Sequence, residues 1–135
     1  RLTPSQTLVN FLTIIRFDVE IVKLLLEDER VDINEPNVYG TIPLFMACLK
    51  GYIEIVQYIL AKRSEVDLSI RNLEGKTSID IAKEMSQGER GVYESEQIFN
   101  RRIINCPRIV ELLESFEKNP NEIRIQLRKQ LGFIG

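Results

Sequence analysis

Ile21-Val22-Lys23-Leu24-Leu25-Leu26 and Ile55-Val56-Gln57-Tyr58-Ile59-Leu60 are one phrase written twice in this chain. Each follows a glutamate (Glu20, Glu54), and each leads through a polar break to a Val-Asp pair, Val31-Asp32 and Val66-Asp67. Val22 and Val56 stand 34 residues apart, and Gly40 and Gly75 stand 35 apart. A period of this length predicts a stacked solenoid, in which each unit buries its apolar side only against its neighbours. Such stacks expose long concave surfaces, so the function to look for is recognition.

Helical signals fill the units. Thr3-Pro4-Ser5-Gln6 is a helix start, with Thr3 as cap and Pro4 at the first helical position, and Leu8, Phe11, Leu12 and Ile15 follow at helical spacing. After a turn at Arg16-Phe17-Asp18, Val19 to Leu26 predicts a second helix with Ile21, Val22, Leu25 and Leu26 inward. Residues 31–37 are too polar for a helix and predict an outward loop returning through a tight turn at Tyr39-Gly40. The next helices run from Pro43 to about Lys50, with Gly51 as its cap, from Ile53 to Leu60, and from Ser78 to about Met85.

There the period breaks. The third Ile-Val phrase, Ile109-Val110, comes 20 residues late, which predicts an insertion over about 86–105. The front of that insertion has loop composition. Its rear, Val92 to Ile104, predicts a short separate helix using Ile98, Phe99, Ile103 and Ile104. Asn119-Pro120-Asn121-Glu122 then starts a closing helix, with Asn119 as cap and Glu122 reaching back, Ile123, Leu127 and Leu131 on one face, and an end at Gly132. Its Arg124, Arg128 and Lys129 could hold an acidic segment or a phosphate, but with Glu117 and Glu122 nearby the trio has the pattern of a solvated helix face.

Composition narrows the class. The 135 residues are 44% hydrophobic and 28% charged, with 18 basic and 20 acidic side chains for a net charge of −2. No global field favours nucleic acid or an anionic membrane, and no apolar run is long enough for a bilayer span. Histidine is absent and there are only two cysteines, Cys48 and Cys106. Neither a zinc set nor the commonest general base is available, and Cys48, between Ala47 and Leu49, has the setting of a buried small hydrophobe. No metal or cofactor is expected. The start at Arg1, without an initiator Met or a leader pattern, has the character of a piece excised from a longer protein in a reducing, intracellular setting, cytoplasmic or nuclear.

The residues resemble ankyrin repeats. The middle unit carries Asn37, Gly40, Ile42-Pro43-Leu44, Ala47, Gly51, Ile55, Val56, Ile59, Leu60, Val66 and Asp67 at the family's positions. The third unit carries Asn72, Gly75, Thr77, Ile79 and Ala82, then Ile109, Val110, Leu112 and Leu113 after the insertion; the first supplies Ile21 to Asn34. The resemblance implies an all-α solenoid of helix–turn–helix units with short hairpin fingers. The units would span about 1–36, 37–70 and 71–118, followed by a capping helix over 119–135. It departs from the family where both usual histidines are lost (Phe45 and Tyr52 in the middle unit, Asp80 in the third) and where Ser78 replaces proline. A softer stack than the consensus follows, because those histidines tie the turns together.

The resemblance also implies a protein-binding module without catalysis, a monomer, meeting partners through fingertips and inner helices. By position the candidates are Val38, Tyr39, Thr41, Leu49 and Lys50, then Arg71, Leu73, Glu74 and Lys76, with Lys83 and Glu84 beyond. Apolar fingertips facing water mark a used surface, although Val38 and Leu73 also suit packing of finger on finger. Two other roles stay open: docking on another domain of the same parent chain, and modification or partner contact at Ser86, Tyr93 or Ser95 in the insertion. The run Gly75-Lys76-Thr77 lacks the upstream glycine of a phosphate loop, and Asp80, Glu84 and Glu89 have no catalytic partner at working spacing.

Overall fold

The computed structural model describes residues 3–5 and 19–133. The expected leading helix through Leu8, Phe11, Leu12 and Ile15, and the turn at Arg16-Phe17-Asp18, lie outside the described residues. Among the described residues six helices run in full and there is no strand: α1 (Val19–Glu27), α2 (Pro43–Lys50), α3 (Ile53–Lys62), α4 (Ser78–Met85), α5 (Glu96–Lys118) and α6 (Pro120–Gln130).

The repeat is visible in the packing. Helices α1 and α3 pack together, as do α2 and α4, while α2 and α3, joined by a short turn at Gly51-Tyr52, pack on each other. Within α1, Val22 and Leu26 are buried, one turn apart. Ile21, expected inward, is 42% exposed instead. It lies about 100° round the helix from Val22, off the stripe that the neighbouring unit covers. Helix α2 is enclosed from Pro43 to Cys48, and α3 buries Ile55, Val56, Tyr58, Ile59, Leu60 and Ala61. Helices α2 and α3 hold much of the described core, with α1 packed against α3 and α4 against α2.

Helix starts show where the sequence departs from its own pattern. Thr77 caps α4: its hydroxyl accepts from the Asp80 N–H while the Asp80 carboxylate accepts from the Thr77 N–H, the reciprocal capping box. Helix α2 starts at Ile42, which has no side chain to cap with and is buried instead. Ser78 occupies in α4 the place of Pro43 in α2, and its buried hydroxyl has no hydrogen-bond partner among the described residues. Proline suits a first helical position, and Thr77, extended at ψ 172, is compatible with a following proline. Ser78→Pro should therefore raise unfolding free energy by about 1 kcal/mol, through chain entropy and removal of the orphan hydroxyl. A lower urea midpoint would contradict this.

The insertion differs from expectation. The short separate helix and the third outer helix are a single 23-residue helix, α5, capped by Ser95, whose hydroxyl accepts from the Ile98 N–H at 3.1 Å. Pro107 lies inside it. The helix continues because Pro107 removes only one hydrogen bond while a buried seam runs straight through it: Arg102, Cys106, Ile109, Leu113 and Phe116 are all buried, at spacings of four and three. Ile104, expected to pack, is 64% exposed.

Helix α6 lies against α3 and α5. Leu127 is buried and Ile123 and Leu131 are half-buried, on the face foreseen. The Asn119 cap is not made; Glu122 instead accepts from Gln126 one turn on. Arg124 and Arg128 are not a solvated face either. The Arg124 Nε donates to the Leu60 carbonyl at 3.0 Å and the Arg128 Nη1 to the Ala61 carbonyl at 3.1 Å. Together they supply donors to the unpaired last turn of α3, where the helix dipole also favours cations.

Candidate interaction surface

Two fingers have the same construction. Asn37 Oδ1 accepts from the N–H groups of Tyr39 (2.9 Å) and Thr41 (3.1 Å), and Asn72 Oδ1 accepts from those of Glu74 (2.9 Å) and Lys76 (3.0 Å). Each asparagine also closes a backbone turn with its glycine, Gly40 or Gly75. An amide side chain thus fixes each tip by satisfying two backbone donors at once. In the third unit Arg71 adds a bond to the Gly75 carbonyl at 2.7 Å.

The tips project apolar groups into water: Tyr39 is 74% and Leu73 is 80% exposed. Leu73 also leans on the preceding finger, its Cγ only 2.7 Å from where a side chain on Gly40 would begin. Between the fingers and helices α2 and α4 lies a depression of about 240 Å³. Of the residues singled out from sequence, Tyr39, Thr41, Leu49, Leu73, Glu74 and Lys76 line it. Val38 is exposed at a tip but outside the lining, and Arg71 is engaged within its own finger. Lys50 lies apart at the end of α2, where burial, and secondarily Arg101, lowers its ammonium pKa. The floor includes Phe45, Met46, Ile81 and Met85, which sequence reasoning did not single out. They belong to the core or pack against it, and the open side of that core is the floor.

Lys76 reaches across the depression to Glu84 at 2.5 Å. The Glu84 carboxylate is thus an ion-pair member and Asp80 is a cap, which accounts for two of the carboxylates considered for chemistry. Hydrogen bonding from Thr77 lowers the pKa of Asp80, in keeping with that role. The cysteines are free and buried, and the Cys106 thiol donates to the Cys48 carbonyl at 3.2 Å. Burial raises both thiol pKa values, that of Cys106 to about 11. Both are neutral packing groups at physiological pH.

The insertion loop is organised by a residue not foreseen. Arg102 on α5 is 5% exposed and uses its whole guanidinium. The Nε donates to Glu94 (2.7 Å), Nη1 to the carbonyls of Met85 (3.0 Å) and Gln87 (2.8 Å), and Nη2 to the Glu89 carbonyl (2.9 Å) and Glu94 (3.1 Å). One fork thereby holds the path from 85 to 94. A second such arginine, Arg63, donates to the carbonyls of Leu26 and Val31 and pairs with Glu65 at 3.0 Å, fastening the first unit to the second.

A sequence profile described as "Ankyrin repeats (3 copies)" matches residues 9–89. With that match over more than half its length, the chain belongs to the ankyrin-repeat family. Over 50 residues it is 34% identical to the Ankyrin repeat and SAM domain-containing protein 6 of Danio rerio, a match spanning 37% of this chain and 7% of that protein. The chain therefore corresponds to a small part of that relative's length. No solved structure matches it. Ankyrin repeats are generally non-catalytic protein–protein interaction modules. Among the described residues no helix is long and apolar enough to cross a membrane.

Proposed function

We propose that the chain binds another protein through its fingertips and the depression behind them, with Tyr39, Thr41, Leu49, Leu73, Glu74 and Lys76 as the contact set and Val38, Lys50 and Arg71 at the margin. In this reading residues 1–118 are the repeats, the rear of α5 replaces the third outer helix, and 119–135 cap the stack. The observation that carries it is the pair of large apolar side chains, Tyr39 and Leu73, held about three-quarters exposed on fixed turns beside a concave apolar floor. Aromatic and aliphatic groups presented rigidly to water are what binding hot spots are made of. Free, buried cysteines and a near-neutral charge suit a monomer in a reducing, intracellular compartment, cytoplasmic or nuclear, and give no pull toward nucleic acid.

The test is a pull-down comparing the wild-type chain with a Tyr39→Ala, Leu73→Ala double variant, its fold checked by circular dichroism. Partner recovery is expected to fall at least about tenfold, the effect of losing about 1.4 kcal/mol. Equal recovery by the folded variant overturns the proposal. Retention of only another domain of the parent chain assigns the surface to intramolecular docking.

A further inference from the structure

The depression behind the fingers does not end at α4. Glu84 and Met85 line it, and the same two residues line a second, shallower depression formed by the insertion loop and Arg102. The two depressions adjoin at Glu84 and Met85, so their combined lining reaches from Leu73 over Met85 to Glu89. Its charge is uneven. The carboxylates lining it are Glu74, Glu84, Glu89 and Glu94, against the cations Lys76 and Arg102. Both cations are spent on glutamates already present, Lys76 on Glu84 and Arg102 on Glu94. That leaves Glu74 at one end and Glu89 at the other, each exposed and in no ion pair among the described residues. Arg71 and Arg90 stand outside the lining, each bonded to a backbone carbonyl, and Lys83 pairs with Glu114 at 3.5 Å.

Resting on the reading of this surface as a protein-binding site, we infer that its partner segment carries an apolar side chain flanked by basic residues. The apolar group seats on Leu49, Leu73 and Met85, and the flanking cations meet Glu74 and Glu89. The insertion is then the part of the surface that reads charge. Arg102 grips the Glu89 carbonyl, so that end of the surface is preorganised and loses little conformational entropy on binding. Complementary charge at both ends fixes the direction of the bound segment and speeds its encounter.

Fluorescence anisotropy with the full chain tests this, using synthetic peptides that share a central Phe-Leu pair and differ in flanking residues: lysine and arginine, serine, or glutamate. The basic peptide is expected to bind at least about tenfold tighter than the acidic one, with the difference shrinking as salt is raised. Glu74→Lys with Glu89→Lys should invert that order, whereas Glu54→Lys with Glu117→Lys, reversing two exposed carboxylates outside the lining, should leave it unchanged. Equal effects of the two pairs would show a global charge effect and overturn the inference. Affinity indifferent to the flanks but abolished by Tyr39→Ala with Leu73→Ala would also overturn it, while leaving the groove as the binding site. Failure of every peptide to bind overturns it as well, and the pull-down then decides separately whether the groove binds protein.

Discussion

Replacing Arg102 by alanine is expected to lower unfolding free energy by about 3 kcal/mol, the magnitude for breaking a buried, hydrogen-bonded ion pair from one side. Three backbone carbonyls, of Met85, Gln87 and Glu89, lose their donor, and the Glu94 carboxylate loses its cation. Water can reach part of this loop, so the carbonyls recover some solvation and the loss stays near the lower end. Arg102→Lys should recover little, because a single ammonium cannot serve receivers that surround a planar fork. Both variants should expose residues 86–95 to limited proteolysis at protease levels that leave wild type intact. A urea midpoint unchanged in Arg102→Ala would remove the clamp from the account.

The same pair makes a pH prediction. Hydrogen bonding from Arg102, opposed by partial burial and aided by the Gly91 N–H, lowers the Glu94 pKa below its ordinary value. A carboxyl depressed on folding contributes stability that is full above its unfolded pKa of about 4.3 and is lost as pH falls through the lower folded value. Wild type should therefore lose this increment on acidification below about pH 4, and Arg102→Ala should show a flatter acid limb. Parallel acid limbs in the two proteins would contradict it.

Gly51→Ala is the second large effect, expected near 3 kcal/mol against about 1 kcal/mol for Gly75→Ala. Both glycines sit at positive φ, +74 and +80, so the left-handed backbone penalty is shared. The surroundings differ. A Cβ on Gly75 meets nothing within 4 Å, whereas one on Gly51 falls 2.9 Å from the Arg101 carbonyl oxygen and 3.0 Å from the Arg102 Cα. Those are backbone atoms of α5, held further by the Asn105 amide donating to the Gly51 carbonyl at 2.9 Å. Relief requires moving a helix whose seam is buried, and the overpacking adds about 1–3 kcal/mol. Comparable urea midpoints for the two variants would show that α5 yields freely at this crossing.

Gly51 was legible as a helix cap, but its contact with α5 was not, since the touching residues lie some fifty positions on. Pro107 works in the opposite sense. Taken locally it marks a helix start, yet Arg102, Cys106, Ile109, Leu113 and Phe116 form an unbroken seam through it, a periodic signal present in the sequence. Arg102 heads that seam as a charged residue, which a pattern of apolar positions does not count. Asn37 and Asn72 stand at matching positions of the repeat, and the matching bond pairs they make follow from residues within four positions.

By itself, the sequence determined the repeat, the class of fold, the fingers and the helices of the middle unit. Each of these rests on spacing along the chain: hydrophobic period, capping residue and turn residue act over a few positions, and the 34-residue recurrence multiplies a weak local signal. Only the tertiary structure decided what the arginines do. Arg63, Arg102, Arg124 and Arg128 reach carbonyls 13 to 67 residues away, serving helix ends and loop backbone in a fold whose turns lack the usual histidines. A guanidinium on a long side chain selects its receivers from whichever carbonyls the fold leaves unpaired nearby, and that selection is made by the path of the chain.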